Sequence, residues 1–222
     1  MIVVHHLNNS RSQRVLWLLE ELGLQYDVKR YQRDSKTMLA PPELRQVHPL
    51  GKSPVLSDGD LVMAESGAII EYLVERYGSG RLVPQDAALR LRYRYWMHYA
   101  EGSMMPPLVM KLVFDRMAKG PMPFFARPIA RALAGKVKRS FIQPSIDRHL
   151  DFMEAELTRS LWFAGDEFTA ADIQMSFPVE AAAARGGLDA GRPRLMDYLG
   201  RSRAREAYKS AIERGGEYSI LR

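Results

Sequence analysis

Ser10 and Ser12 sit with Asn8, Asn9 and Arg11 between an apolar run, Ile2 to Leu7, and a helical pattern that opens at Ser12. A helix N-terminus in that place offers free N–H groups and a positive dipole end, which favour an anion. A serine hydroxyl aimed at a bound thiol would hydrogen-bond its thiolate and lower its pKa. Each unit of lowering is about 1.4 kcal/mol of preference for the thiolate. A plain helix cap explains the same serines without a ligand. Lys52-Ser53-Pro54-Val55 is a second candidate. A proline heading a short strand is a candidate cis peptide. It would expose the N–H and C=O of Val55 for antiparallel pairing with an extended peptide ligand, and Lys52 could meet a carboxylate. A turn with a surface lysine is the plainer reading. Glu65-Ser66 is a third. A helix N-terminus would offer the Ser66 N–H and hydroxyl to a carboxylate, and Glu65 would offer a negative charge to an ammonium. The pair matches an α-amino acid head group, although a cap followed by a first-turn acid leaves the same trace. Thr169-Ala170-Ala171-Asp172 reads as a structural capping box.

These residues need elements to hold them. Ile2–Leu7 reads as a buried strand. Ser12 to Leu22 has helical spacing, with Val15, Leu16, Leu18, Leu19 and Leu22 inward and Arg14, Glu20 and Glu21 toward water. Gly23 ends that helix. Tyr26 to Tyr31 reads as a strand, and a short helix opens at Ala40-Pro41-Pro42. Pro54-Val55-Leu56 and Leu61-Val62-Met63 are short strands with a hairpin signal, Asp58-Gly59, between them. A helix from Ala68 to Tyr77 follows. Strands joined through a helix should pair in parallel. After Gly78-Ser79-Gly80 and Pro84 the strand signal vanishes. Leu89 to Met117 reads as one long helix kinked by Gly102 and Pro106-Pro107. Helical patterns recur over 142–161, 171–185 and 195–214. Between them, residues 121–139 alternate Phe124, Phe125, Ile129 and Leu133 with Arg127, Arg131, Lys136, Lys138 and Arg139. That stretch would cover the mouth of a site or dock a partner, with a membrane-surface role as the weaker reading.

Composition narrows the chemistry. A chain of 222 residues suits one large domain or two modest ones. It has no cysteine, which removes disulfides, Cys-ligated metal and every Cys-nucleophile mechanism. Any thiol must come from a ligand. The net charge of +6 is spread among acids and reads as a solvated surface rather than a nucleic-acid footprint. No apolar run reaches the roughly 18 residues that cross a bilayer, and MIVVHHL is not signal-like. The expected location is the cytoplasm.

In this order and spacing the chain resembles the cytosolic glutathione transferases, in a serine-type-like branch shared by fungal and bacterial members. The segments that carry the likeness are SRSQRVLWLLEELGLQYDV, HPLGKSPVL, DGDLVMAESGAIIEYLVERYG and GDEFTAADIQMSFPV. The resemblance implies an α/β thioredoxin-like domain over 1–79, a linker over 80–87 and an all-helical domain over 88–222. It implies that Glu65 and Ser66 hold the γ-glutamyl head of glutathione. Val55, presented by Ser53 and cis-Pro54, would pair with its cysteinyl backbone, and Lys52 would sit near its glycyl carboxylate. Ser10 would activate the thiol, with Asn9 and Ser12 as alternatives. His5 and His6 read as packing residues.

The implied reaction is attack of the glutathione thiolate on a small hydrophobic electrophile, the transfer typical of detoxification. Its pocket would be lined by Tyr99, Met104, Met105, Leu108 and Phe114, although core packing explains that stripe equally well. A homodimer is implied, with no metal, no nucleic acid and no integral membrane contact. A glutathione-dependent peroxidase, isomerase or dehalogenase would need the same glutathione residues. A partner-binding protein on this fold would tend to lose them.

Overall fold

The computed structural model describes residues 1–216 and 218. The chain begins with β1 (Ile2–Leu7), α1 (Ser12–Leu22), β2 (Tyr26–Tyr31), the single turn α2 (Leu44–Val47), β3 (Val55–Asp58), β4 (Leu61–Ala64) and α3 (Ser66–Tyr77). The strands form one mixed sheet in the order β2-β1-β3-β4. As expected across a helix, β1 and β2 run parallel, from Ile2↔Tyr26 to Leu7↔Tyr31. β3 departs from the expectation. It takes the other edge of β1 and runs antiparallel, with His5 opposite Val55. An antiparallel strand must start where its neighbour ends. The loop that leads into β3 is therefore laid beside the loop that leaves β1. The Asp58↔Leu61 pairing closes the β3–β4 hairpin over Gly59-Asp60, with Gly59 at φ 59°. Gly23 caps α1 in the left-handed region that glycine adopts without strain.

The rest of the described chain is helical: α4 (Ala87–Tyr99), α5 (Met105–Lys119), α6 (Arg127–Val137), α7 (Gln143–Arg159), α8 (Ala170–Ala181), α9 (Pro193–Ala204) and α10 (Glu206–Gly215). Asp86 caps α4 by accepting from Ala88 N–H and Leu89 N–H, each at 2.9 Å. The interruption expected near Gly102 and Pro106-Pro107 is a π-helical turn, Ala100–Met104. Prolines cannot donate back into a regular α-ladder, and the wider turn absorbs the mismatch. The single pattern over 195–214 is two helices. Arg205, extended between them, is pinned to α1 by Glu21.

α8 is buried along its whole length. Asp172 accepts from the N–H groups of Thr169 (2.8 Å) and Phe163 (2.9 Å) and from the Thr169 hydroxyl (3.0 Å), so the expected box is formed and tied to a neighbouring loop. Burial raises the Asp172 carboxyl to about 6 against those hydrogen bonds. One continuous core runs from the sheet through Trp17 and α8 to Trp96, Phe163 and Tyr198. α6 and the 3₁₀ turn before it stand apart: Phe124 and Phe125 in the turn and Ile129 and Leu133 in α6 are exposed, and α6 packs on α5 and the following π turn.

Candidate active site

Three of the sequence candidates converge at the carboxyl end of β1. Leu7 ends the strand, and Asn8 to Arg11 lead into α1, with Asn9 at φ 52°. The Ser53–Pro54 peptide is cis. The Ser53 hydroxyl donates to the His5 carbonyl (2.9 Å) and accepts from the Leu7 N–H (3.2 Å), which clamps the loop before β3 against the end of β1. Ser10 reaches the same hydroxyl at 3.4 Å. The Ser10 and Ser12 hydroxyls lie 2.7 Å apart, and Ser12 contacts His6 Nδ1 at 2.9 Å.

These contacts separate the three candidate activators. Ser12 is inaccessible and its hydroxyl is engaged by His6, Ser10 and the Leu7 carbonyl. It positions Ser10 and cannot itself meet a ligand in this arrangement. Ser10 is 4% exposed, and Asn9 is half-buried. His6 is buried too. Burial, then Arg30, lower it to about 4 against a hydrogen bond donated to the Gly215 backbone, so it is neutral at pH 7 and serves as a fixed partner for Ser12. The reading of His5 and His6 as packing residues fits their burial, and it missed this hydrogen-bonded link.

The expectation for Val55 is corrected. Val55 is fully buried and stands between His5 on one side and Ala64 on the other. With a strand on each flank it has no edge to offer. Ser53, just before the cis bond, lies outside both registers and is half-buried. The free backbone edge is displaced to it. The sequence marked the proline, but not which side of it faces outward.

Glu65 and Ser66 form the start of α3. Glu65 has φ 73°, a left-handed conformation unusual for a residue with a side chain, and it is exposed. Ser66 is buried and accepts a hydrogen bond from Arg14 at 2.8 Å. Arg14 was expected to face water. It is 1% exposed and also donates to the Gln174 carbonyl (2.7 Å) and to Glu101 Oε1 (2.6 Å). Glu101 also receives Arg11 Nε at 2.9 and 3.0 Å. Burial raises the Glu101 carboxyl, but the two arginines more than offset it and keep it ionised. A hydrophilic residue inside a helical pattern carries no sign of this network. Only the packing of α1 on α8 reveals it. Lys52 is exposed at the same end.

The expected second pocket is also corrected. Tyr99, Met104, Met105 and Leu108 are buried in the main core, and Phe114 packs against it half-buried. Their burial fits the core-packing reading of the stripe. The open space begins one turn later on α5: a cleft of about 530 Å³ lined by Leu112, Asp115, Arg116, Lys119, Gly120, Ala184 and Arg185. A larger cleft of about 790 Å³ lies between residues 80–86 and 164–169 and includes none of the residues implied for glutathione or the electrophile. Among the described residues no cluster of His, Asp and Glu has a metal-holding arrangement, and no helix is long and apolar enough to cross a membrane.

Residues 1–75 match the glutathione S-transferase N-terminal domain, and residues 115–201 match the C-terminal domain. The chain is 41% identical to glutathione S-transferase 3 of Schizosaccharomyces pombe over 82% of this chain and 74% of that one. It is 33% identical to glutathione S-transferase 1 of Saccharomyces cerevisiae over 96% and 95% of the two chains. The crystal structure of a glutathione S-transferase from Actinobacillus pleuropneumoniae superposes with a TM-score of 0.79 at 34% identity, covering 100% of this chain and 96% of the other. A transferase homologue from Sulfitobacter, solved with bound glutathione, shares the fold at a TM-score of 0.75 and 21% identity, over 97% and 98% of the chains.

Proposed function

The chain belongs to the glutathione S-transferase family, and from that premise we propose that it binds glutathione along the edge from Lys52 to Ser66 and ionises its thiol at the loop before α1. The observation that carries this reading is the Ser10–Ser53 contact at 3.4 Å. It joins the loop suited to hold a peptide to the loop suited to stabilise a thiolate.

Glutathione carries an ammonium and a carboxylate on one carbon, a central peptide with a thiol, and a second carboxylate. Glu65 meets the ammonium. The Ser66 N–H and hydroxyl, at the positive end of α3, meet the α-carboxylate. Arg14, fixed by Glu101, orients that hydroxyl. The backbone of Ser53 pairs with the cysteinyl residue, and Lys52 faces the glycyl carboxylate across solvent. The thiol then lies near Ser10. A hydroxyl donated to sulfur, with the α1 dipole behind it, stabilises the thiolate over the thiol. The thiolate attacks an electrophilic carbon, a C–S bond forms, and the leaving group departs with its electron pair. Ser12 and His6 hold the Ser10 hydroxyl in place.

Two further properties belong to this reading. The edge strand β4 exposes Leu61 and Val62, and α4 exposes Leu91 and Tyr95. These apolar residues suit the contact of a homodimer. A cytoplasmic location suits the substrate.

Replacing Ser10 tests the mechanism. Ser10→Ala should lower kcat/KM by about 100-fold through a raised thiol pKa, while Asn9→Ala and the affinity for glutathione change little. If Asn9→Ala carries the loss and Ser10→Ala does not, the activator is Asn9.

A further inference from the structure

The cleft beside α5 is walled by cations that have no acid of their own. Arg116, Lys119 and Arg185 line it. None of the three has an ion pair among the described residues, and the Arg185 Nε is buried without a hydrogen-bond partner. The one acid on the wall, Asp115, is taken by Lys138 and by Lys111 (3.6 Å) from the same stretch of helices. A fourth cation, Arg33, stands beside the loop before α1. Arg33 donates from Nε to the Asn8 carbonyl at 3.2 Å, and its own N–H is held by Asn8 Oδ1 at 2.9 Å. Arg33 and Arg185 each lie within electrostatic reach of both Arg11 and Arg116. Burial first, and those like charges second, hold both guanidinium groups below the usual arginine range. Arg11 shares its carboxylate, Glu101, with Arg14, so that single acid cannot neutralise the group either.

Cations gathered without counter-charges repel one another and destabilise the chain unless a ligand supplies the missing charge. Their geometry restricts that ligand. Arg116, Lys119 and Arg185 stand at the end of α5, and Arg11 and Arg33 stand by the loop before α1. Leu112 and Ala184 add an apolar wall. Planar guanidinium forks suit carboxylate, sulfonate and phosphate oxygens.

We propose that this cleft takes the second substrate and selects electrophiles that bear an anionic group, which Arg116 and Arg185 hold while the reactive carbon faces the glutathione sulfur. The inference rests on the transferase reading given above and names the substrate class for it. For an activated aryl chloride, the thiolate attacks the ring carbon, the C–S bond forms and the C–Cl bond breaks. Chloride leaves with the electron pair, and the thiol proton has already passed to solvent.

The test compares a chloronitrobenzoate with its neutral methyl ester, at saturating glutathione. The carboxylate should be preferred in kcat/KM by at least about tenfold, despite its less activated ring, because a partly desolvated Arg–carboxylate fork is worth at least about 1.4 kcal/mol. The preference should fall as salt is raised. In Arg116→Gln/Arg185→Gln it should shrink to near unity through a raised KM for the carboxylate. Arg116→Glu, a change on an exposed side chain, should reverse it if the double variant fails to fold. No preference in the parent, or one that survives Arg116→Glu, overturns the inference alone. Failure of both electrophiles to react, with no glutathione binding by calorimetry, overturns it together with the transferase reading beneath it.

Discussion

Removing Glu101 should damage this protein more than removing the buried cation that it neutralises. Arg14 is 1% exposed and has three partners: Glu101, the Gln174 carbonyl and the Ser66 hydroxyl. In Glu101→Met the guanidinium stays buried with no carboxylate. Loss of one member of a buried pair costs about 3–5 kcal/mol. Arg14 and Arg11 both lie over the Phe177 ring, at 5.3 and 5.0 Å, and such contacts offset about 1 kcal/mol of that.

In Arg14→Met the outcome differs. Glu101, with a side chain 33% exposed, keeps Arg11 at 2.9 Å and reaches solvent. What is lost is the pairing of the Gln174 carbonyl and the Ser66 hydroxyl, about 1–3 kcal/mol. Urea denaturation of both single variants and the double variant measures the difference. Glu101→Met should be less stable than Arg14→Met by about 1–2 kcal/mol, which is the gap between those two costs. The double variant should match Arg14→Met instead of summing the two losses, because it holds no unpaired buried charge. Equal losses, or an additive double variant, would refute the argument that a buried, Glu101-dependent charge joins α1 to the helical domain.

Two further expectations concern acid stability and assembly. His6 is held neutral at about 4, against 6.5 for the unperturbed group. The unfolded chain therefore binds the extra proton first, and stability drops as pH falls from about 6.5 to 4, by at most about 3 kcal/mol. Chemical denaturation across that window should show a shallower slope in His6→Asn, and an unchanged slope would contradict the assignment. Sedimentation should give a dimer of the 25.3 kDa chain. Leu91→Glu with Tyr95→Glu should shift it toward monomer, and a lone 25.3 kDa species in the parent would refute the dimer.

The sequence carried the fold well where periodicity and turn chemistry speak. The strand Ile2–Leu7, the helix Ser12–Leu22, its Gly23 cap, the β3–β4 hairpin and the Thr169–Asp172 box all stand where the pattern puts them. It failed where a decision depends on the partner of an element. The antiparallel seat of β3 on β1 is a choice of edge, and no residue of β3 encodes it alone. Arg14 reads as a surface residue because all three of its acceptors come from segments more than 50 residues away. The stripe from Tyr99 to Leu108 has the right composition for a pliable pocket, yet its residues are buried in the core, which spacing alone does not show. The candidates themselves, Ser10, Pro54, Glu65 and Ser66, were legible from local chemistry. That Val55 is paired on both flanks, and that Arg116 and Arg185 line one cleft, required knowing which strands flank β3 and where α5 ends.

The central claim is that this chain makes a thiolate from glutathione. It is tested most directly by titrating glutathione calorimetrically and following thiolate absorbance as pH varies, with Ser66→Ala beside the parent. The account predicts binding, a bound thiol ionised well below its free pKa, and an affinity at least about tenfold weaker in Ser66→Ala. No binding at millimolar glutathione, or binding with an unshifted thiol, would contradict it.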